Sequence, residues 1–249
     1  MYNILTVWGE EYYLPAPFYF LMNKNILIIH YNTPELTKAT VLSVIKHCPD
    51  CEITVFDNSD KYPFELMSCV TVINNCNQQL LDFDTMINSF NNKAISSNGY
   101  GSAKHCYSVD YCMDMFEDGF VLLDSDVLVK RDLSELFDSS VCWAGQSHIN
   151  KKHKINIPRL YPFCCFINTK MCRENGIRYF DREHMWQLSD SEIGKWYDTG
   201  AWFLEATNGL PHKDIVCTDY IVHYGNGSFN NTKKQSKSDW LNQYSEYYR

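Results

Sequence analysis

Phe120-Val121-Leu122-Leu123-Asp124-Ser125-Asp126-Val127 is the most informative stretch of the chain. Its apolar run follows Gly119 and is typical of a strand buried on both faces in a parallel sheet. The run ends in two aspartates one residue apart, and open α/β sheets bind ligands at the carboxyl ends of their strands. Two carboxylates there predict a site for Mg²⁺ or Mn²⁺ that leaves coordination positions for phosphate oxygens. The simpler interpretation is a strand that ends in a polar turn.

Two other apolar runs predict further strands. Asn25 to Tyr31 and Glu52 to Phe56 both have the composition of buried strands. Between them, Thr33-Pro34-Glu35 predicts a helix start, with Thr33 as the N-cap, Pro34 at the first helical position and Glu35 at the positive end of the dipole. This order of elements predicts a doubly wound, mainly parallel α/β sheet flanked by helices, in a single domain.

Charge, cysteine content and hydropathy limit the classes of protein. The net charge of −8 argues against a nucleic-acid partner. Eleven scattered cysteines indicate free thiols in a reducing cytosol. No apolar run approaches the about 18 residues of a membrane span. We expect no signal peptide, since the N-terminus shows no basic segment followed by an apolar one. We therefore expect a cytoplasmic protein, with at most a peripheral association at the inner face of the membrane.

Three downstream segments carry local predictions. Ser147 to Pro158 is polar and basic, which indicates either a solvated loop or a mobile flap over an anionic or polar ligand. Ser189 to Asn208 is expected to be largely helical, with Gly209 at its end. Ile215 to Tyr224 is expected to be extended.

The ordered series of motifs resembles the glycosyltransferases of the GT-A fold, most closely the large inverting family 2. The match covers roughly residues 25 to 230. It is carried by four segments: His30-Tyr31-Asn32-Thr33-Pro34-Glu35, Asp57-Asn58-Ser59, Asn98-Gly99-Tyr100-Gly101-Ser102-Ala103-Lys104-His105 and Asp124-Ser125-Asp126. Two departures are visible: Lys104-His105 stands where the family has Arg-Asn, and Trp196-Tyr197-Asp198-Thr199-Gly200 stands where it usually has paired acidic residues.

The resemblance implies a nucleotide-sugar donor, most simply a UDP-sugar, and Mn²⁺ or Mg²⁺ as the cofactor. Asp126 would bind the metal directly, Asp124 would contact the ribose or a metal-bound water, and His223 would be a further metal ligand. Asp57 would accept the N3–H of a uracil ring, and Tyr31 would stack on that ring. The other contacts with the nucleotide-sugar donor would come from His30, Asn32, Ser59, Lys104 and Ser125, and Lys104 would contact a phosphate group.

The resemblance also implies a general base and a division of the chain. Asp198 is the candidate base, because inverting transfer needs a carboxylate near the acceptor hydroxyl. The domain would span residues 25–249, with a nucleotide-binding half to about residue 130 and an acceptor half at 131–249. Residues 1–24 would form an N-terminal arm or extension.

Plainer interpretations stay open for these side chains. Asp198 is equally consistent with a carboxylate in the first turn of a helix, stabilised by the helix dipole. Asp57 is equally consistent with a turn residue. His223 is equally consistent with an ordinary hydrogen-bonded histidine.

The resemblance thus implies a metal-dependent, inverting glycosyltransferase that acts on a saccharide or lipid-linked acceptor in cell-surface polysaccharide synthesis. The first alternative is a retaining transferase, because the segment from Val121 to Leu136 also resembles family 8. A nucleotidyltransferase is a weaker alternative, since no Gly-rich basic loop follows the first strand. A non-catalytic nucleotide- or sugar-binding module is a further alternative.

Overall fold

The computed structural model describes residues 3–7, 10–14, 23–88, 97–149, 157–181, 197–225 and 235–249. Within these ranges no helix combines the length and the apolar character needed to cross a bilayer. All eleven cysteines are free thiols, and eight of them are buried.

Most strands and helices are shorter in the second half of the chain than in the first. The strands are β1 (Asn3–Val7), β2 (Glu10–Leu14), β3 (Asn25–His30), β4 (Glu52–Asp57), β5 (Val70–Asn74), β6 (Phe120–Asp124), β7 (Val127–Val129), β8 (Trp143–Gly145), β9 (Ser147–Ile149), β10 (Pro158–Leu160), β11 (Cys164–Ile167), β12 (His212–Asp214) and β13 (Ile221–His223). The α-helices are α1 (Pro34–His47), α2 (Phe83–Asn88), α3 (Ser97–Met113), α4 (Thr169–Glu174), α5 (Ala201–Ala206) and α6 (Lys237–Gln243).

A seven-stranded sheet forms the centre, in the order β12-β8-β11-β6-β3-β4-β5. The pairs β6–β3, β3–β4, β4–β5 and β8–β12 are parallel, whereas β11 is antiparallel to both of its neighbours. The predicted mainly parallel α/β sheet with flanking helices is therefore confirmed. A parallel β11 would need a long crossover, but the described residues between β8 and β11 contribute only the antiparallel β9–β10 hairpin.

The core has one layer on each side of the sheet because successive side chains of a strand point to opposite faces. In β3, Ile26 and Ile28 pack in the layer that contains Val41 and Val44 of α1. Leu27 lies in the opposite layer, against the buried face of α3. A strand covered on both faces has no exposed positions, which explains why β3 and β6 are continuous apolar runs.

The register brings three strand ends to one edge of the sheet. His30 at the end of β3 is paired with Asp57 at the end of β4. On its other side, Ile29 of β3 is paired with Asp124 at the end of β6. The polar residues that follow these strands therefore meet at the same edge.

Several local predictions need correction. The 215–224 segment is not uniformly extended, because a 3-10 turn at Cys217–Asp219 precedes β13. The helix predicted over 189–208 is observed only as α5, and residues 189–196 lie outside the described ranges. Thr33 is the N-cap residue of α1, but its side chain makes no capping hydrogen bond.

The segments at 1–24 and 147–158 are described only in part. Residues 1–24 contain the antiparallel hairpin of β1 and β2. β9 and β10 pair at the two ends of the basic segment, whose residues 150–156 fall outside the description.

Candidate active site

Two carboxylates and one imidazole converge where β6 ends, and we call Asp124, Asp126 and His223 the metal triad. The antiparallel pairing of β13 with β7 sets His223 opposite Val127, next to the Asp-x-Asp turn. The Nε2 atom of His223 lies 3.1 Å from Oδ1 of Asp126 and 3.9 Å from Oδ2 of Asp124. One ligand atom from each residue can be chosen so that all lie within 4.8 Å of one another.

The chemistry of this donor set fits a divalent cation. Two carboxylates and an imidazole nitrogen suit Mn²⁺, and the carboxylates alone suit Mg²⁺. The side chain of Asp126 is 8% exposed, against 25% for Asp124 and 28% for His223. A cation held here would thus be anchored by a buried carboxylate and remain open to a ligand on the side of the other two.

Basic side chains surround the Asp124 carboxylate. Its Oδ1 atom lies 3.2 Å from Nε2 of His105 on α3. Burial raises the pKa of the Asp124 carboxyl, but the hydrogen bond and charge of His105, with the charges of His223 and Arg159, outweigh burial, so the pKa is lowered overall. The site therefore keeps this carboxylate in the ionised form that a metal requires.

Asp198 is held by three donors, just before α5. Its Oδ1 atom accepts hydrogen bonds from the Ser102 hydroxyl at 2.8 Å and from the Thr199 backbone N–H at 2.8 Å. Its Oδ2 atom is paired with the guanidinium of Arg159 on β10. The predicted base is thus an engaged carboxylate, placed beside α3.

An aromatic stack leads from the metal triad towards β10. The Phe163 ring lies 4.4 Å from the His223 ring, centre to centre. Tyr161 stacks on Phe163 at 4.5 Å, and the Arg159 guanidinium carbon lies 5.7 Å from the centre of the Tyr161 ring. Residues 161 to 163 form the short turn between β10 and β11, and this turn brings both rings into one stack with His223.

His30 and Asp57 are both buried and hydrogen-bonded within the protein. Nδ1 of His30 lies 2.7 Å from the Thr37 hydroxyl, and Nε2 lies 3.1 Å from the Tyr62 carbonyl. Asp57 accepts the backbone N–H groups of Ser59 and Phe64, one on each carboxylate oxygen. These contacts shape the turns after β3 and β4, and contact of either side chain with a nucleotide stays a prediction.

The turn after β3 is locked by Asn32, whose φ is +54°. Its backbone N–H donates to the Ser59 hydroxyl at 3.1 Å, and its side-chain carbonyl accepts the N–H groups of Lys61 and Tyr62. Its side-chain amide donates to Asp60. Asn tolerates the left-handed region better than most residues, which suits it to this turn.

Lys104 and Ser125 border these turns. The Lys104 ammonium lies 5.6 Å from the centre of the Tyr31 ring and 5.2 Å from that of Phe83. Burial lowers the pKa of Lys104, although the charges of Asp84 and Asp60 act in the opposite direction. The Ser125 hydroxyl lies 3.1 Å from the Thr33 hydroxyl and so connects the β3 turn to the Asp-x-Asp turn.

Nine of the eleven predicted site residues fall into two groups at one edge of the sheet. Asp124, Asp126 and His223 form the metal triad, whereas His30, Tyr31, Asn32, Asp57, Ser59 and Lys104 surround the turns after β3 and β4. Sequence reasoning did not assign roles to four side chains of the site: Ser102, His105, Arg159 and Phe163. The one available signal was His105, which departs from the resembled motif.

Neither a family model nor a curated protein matches this chain. Among solved structures, the galactosyltransferase LgtC in complex with donor and acceptor sugar analogs is 14% identical over 76% of this chain and 72% of its own, with a TM-score of 0.47. The glycosyltransferase GlyE of Streptococcus pneumoniae TIGR4 is 15% identical over 78% of this chain and 45% of its own, at 0.47. The bifunctional glycosyltransferase WbbM is 14% identical over 68% of this chain and 35% of its own, at 0.41.

This chain therefore spans less than half of the GlyE and WbbM chains. All three proteins are glycosyltransferases. Likenesses this distant assign no function to this chain.

Proposed function

We propose that this protein is a metal-dependent glycosyltransferase that takes its sugar from a nucleoside diphosphate donor, most simply a UDP-sugar. The observation that carries the proposal is the metal triad at the carboxyl edge of the sheet. We propose a saccharide or lipid-linked acceptor of the cell surface, reached from the cytoplasmic side. That part rests on the resemblance of the sequence motifs.

The arrangement around the triad supports a bound nucleoside diphosphate. The β3, β4 and β6 ends lie side by side, so a ligand that spans them can meet the β3 turn and the metal triad together. Tyr31 is half-buried and offers an aromatic ring beside the β3 turn. The ribose and the phosphates would span the distance between the β3 turn and the metal triad.

Each residue of the triad has a separate task in this proposal. Asp126, Asp124 and His223 would hold Mn²⁺ or Mg²⁺, and His105 would orient the Asp124 carboxylate. When bound, such a cation stabilises the negative charge of a departing diphosphate. The protein then has to bind the donor, align the acceptor hydroxyl and exclude water.

The contacts of Asp198 bear on the stereochemical course. Inverting transfer needs a carboxylate free to accept the proton of the acceptor hydroxyl. Asp198 already accepts from Ser102, Thr199 and Arg159. These three hydrogen-bonding contacts of Asp198 favour the retaining alternative, in which no dedicated base is needed.

The test of the function is a calorimetric titration of UDP, GDP and CDP, each with and without Mn²⁺. We expect UDP to bind best and to require the metal. Asp126→Asn should weaken metal-dependent UDP binding by at least about 100-fold, because it removes the buried anionic ligand. Asp214→Asn is the matched control, since Asp214 is an exposed carboxylate on β12.

Two results would contradict the proposal. One is the absence of metal-dependent nucleotide binding in the wild type, which would favour a non-catalytic module. The other is an Asp126→Asn variant that binds UDP and Mn²⁺ as the wild type does.

A second measurement separates the two stereochemical courses. UDP-sugars are screened for slow metal-dependent hydrolysis, and the anomer formed first is read by proton NMR. From an α-linked donor, an α product indicates retention and a β product indicates inversion. An inverted product would restore Asp198 as the leading candidate base.

A further inference from the structure

Arg159 is a cation in the site whose hydrogen-bonding capacity is only partly used. Its guanidinium pairs with Asp198 and lies over the ring of Tyr161. Its Nε atom is buried and has no hydrogen-bond partner among the described residues. A buried donor without an acceptor is unfavourable, so an acceptor from a ligand would stabilise this arrangement.

The position of Arg159 relative to the metal triad is set by α3, which contacts both Asp198 and Asp124. Ser102 of α3 donates to Asp198, and His105, one helical turn later, contacts Asp124. Residues three apart lie on the same face of a helix. Asp198, with Arg159 attached to it, therefore lies one turn of α3 away from the metal triad.

The aromatic stack gives an independent path between the same two places. Arg159 lies over Tyr161, Tyr161 stacks on Phe163, and Phe163 packs against His223. The guanidinium and the metal triad are thus at the two ends of one short row of rings. The side chain of Arg159 is 24% exposed, so part of it is open to solvent.

Its surroundings select the kind of ligand. A guanidinium presents several coplanar N–H donors that match the oxygens of phosphate groups. One N–H engages Asp198, which fixes the plane of the group and leaves other donors available. A divalent cation at one end and a guanidinium at the other suit a ligand with two linked phosphates.

We propose that Arg159 contacts the diphosphate of the nucleotide-sugar donor, with Asp198 and Ser102 as the positioning residues that hold its guanidinium. This inference rests on the proposed function. When the bond between the sugar and the diphosphate breaks, its electron pair stays with the phosphate oxygen. Arg159 stabilises that charge together with the metal and transfers no proton.

The test compares the affinities for UDP, UMP and uridine, with Mn²⁺ present, by direct or displacement calorimetry. Arg159→Gln should weaken UDP binding roughly 10- to 100-fold, as expected for loss of a charged hydrogen bond. Uridine binding should not change, because the base and ribose do not touch Arg159. Arg159→Lys should recover part of the loss, since it keeps the charge without the planar fork.

Asp198→Asn tests the positioning role. It should also weaken UDP binding while sparing uridine, and Arg159→Gln with Asp198→Asn should lose no more than Arg159→Gln alone. A base that acts only on the acceptor would leave UDP affinity unchanged in Asp198→Asn. Arg131→Gln is the matched control, because Arg131 is an exposed arginine that pairs with Glu135.

The outcomes separate this inference from the function on which it rests. If the wild type binds no UDP, both are overturned. If the wild type binds UDP with Mn²⁺ and Arg159→Gln binds it equally well, only the role of Arg159 is overturned. Equal losses of UDP and uridine affinity in both Arg159 variants would also overturn it, since Arg159 would then act by maintaining the fold.

Discussion

His105 is the side chain that ties α3 to the metal triad at the scale of single residues. Its Nε2 atom contacts Asp124, and its Nδ1 atom is buried without a hydrogen-bond partner among the described residues. The ring is 17% exposed, so packing holds its orientation. His105 therefore orients the carboxylate of Asp124, the more exposed of the two carboxylates in the metal triad.

Removing the His105 imidazole should weaken the metal site without removing a metal ligand. We expect His105→Phe, which keeps a ring of similar size, to reduce Mn²⁺ affinity about 10- to 100-fold, the usual effect of losing an outer hydrogen bond. Mn²⁺ binding can be followed by electron paramagnetic resonance, with the exposed His212 changed to Phe as the control. Unchanged Mn²⁺ affinity in His105→Phe would refute this role.

Residues in the site differ in how far the sequence predicts them. Asp124 and Asp126 follow an apolar run, so their place at a strand end can be read from local pattern. Arg159 and Asp198 are 39 positions apart and pair only because β10 packs beside the turn before α5. Such a contact depends on tertiary packing, which no local pattern in the chain records.

At the scale of elements, Gly200 controls how closely the turn before α5 approaches β10. Its φ is +80°, and a Cβ there would lie 2.2 Å from the Leu160 carbonyl oxygen. The Gly200 carbonyl in turn accepts the Leu160 N–H at 3.2 Å. This contact sets Asp198 and Arg159 side by side, because Arg159 directly precedes Leu160 and Asp198 lies two residues before Gly200.

Gly200→Ala should therefore damage both stability and the site. We expect a loss of about 3 kcal/mol in the free energy of unfolding, from left-handed strain and from the clash with β10. Gly209→Ala is a matched control, because Gly209 has a φ of +87° and open space around the Cβ position. It should lose only about 1 kcal/mol from backbone strain. Urea denaturation of both variants measures the difference, and equal losses would show that the contact with β10 is not restrictive.

Elements with strong local signals were predicted better than those set by packing. β3 and β6 are continuous apolar runs and were predicted near their observed bounds. The direction of β11 and the 3-10 turn at Cys217–Asp219 were not predicted, because four- and three-residue elements carry too little pattern. Their geometry is imposed by the neighbouring strands.

At the scale of the whole molecule, α3 joins the site to the rest of the fold. Ser108 accepts a hydrogen bond from Asn58 in the turn after β4. Asp110 accepts the Arg178 guanidinium and the backbone N–H groups of Tyr179 and Phe180. One helix thus contacts the metal triad, the β4 turn and the segment after α4, so site geometry and global stability are coupled through it.

The central strand carries a buried histidine, which makes global stability depend on pH. His30 has no exposed surface, and burial lowers its pKa from the ordinary value of 6.5, although Asp57 and the Tyr62 carbonyl act in the opposite direction. Below about pH 6.5 the unfolded chain binds a proton at His30 that the folded protein does not bind. This contribution to stability is therefore complete above pH 6.5 and is lost as the pH falls towards the folded pKa.

We expect the free energy of unfolding to fall between pH 7.5 and pH 5.5 more steeply in the wild type than in His30→Gln. The difference in slope cannot exceed about 1.4 kcal/mol per pH unit, the value for one proton. His30→Gln should be less stable than the wild type at pH 7.5, because it disturbs the contacts with Thr37 and Tyr62. His212→Gln, at a histidine that is 46% exposed, should keep the wild-type slope. Urea denaturation at pH 7.5, 6.5 and 5.5 gives all three slopes, and parallel curves for wild type and His30→Gln would show that folding does not lower the pKa of His30.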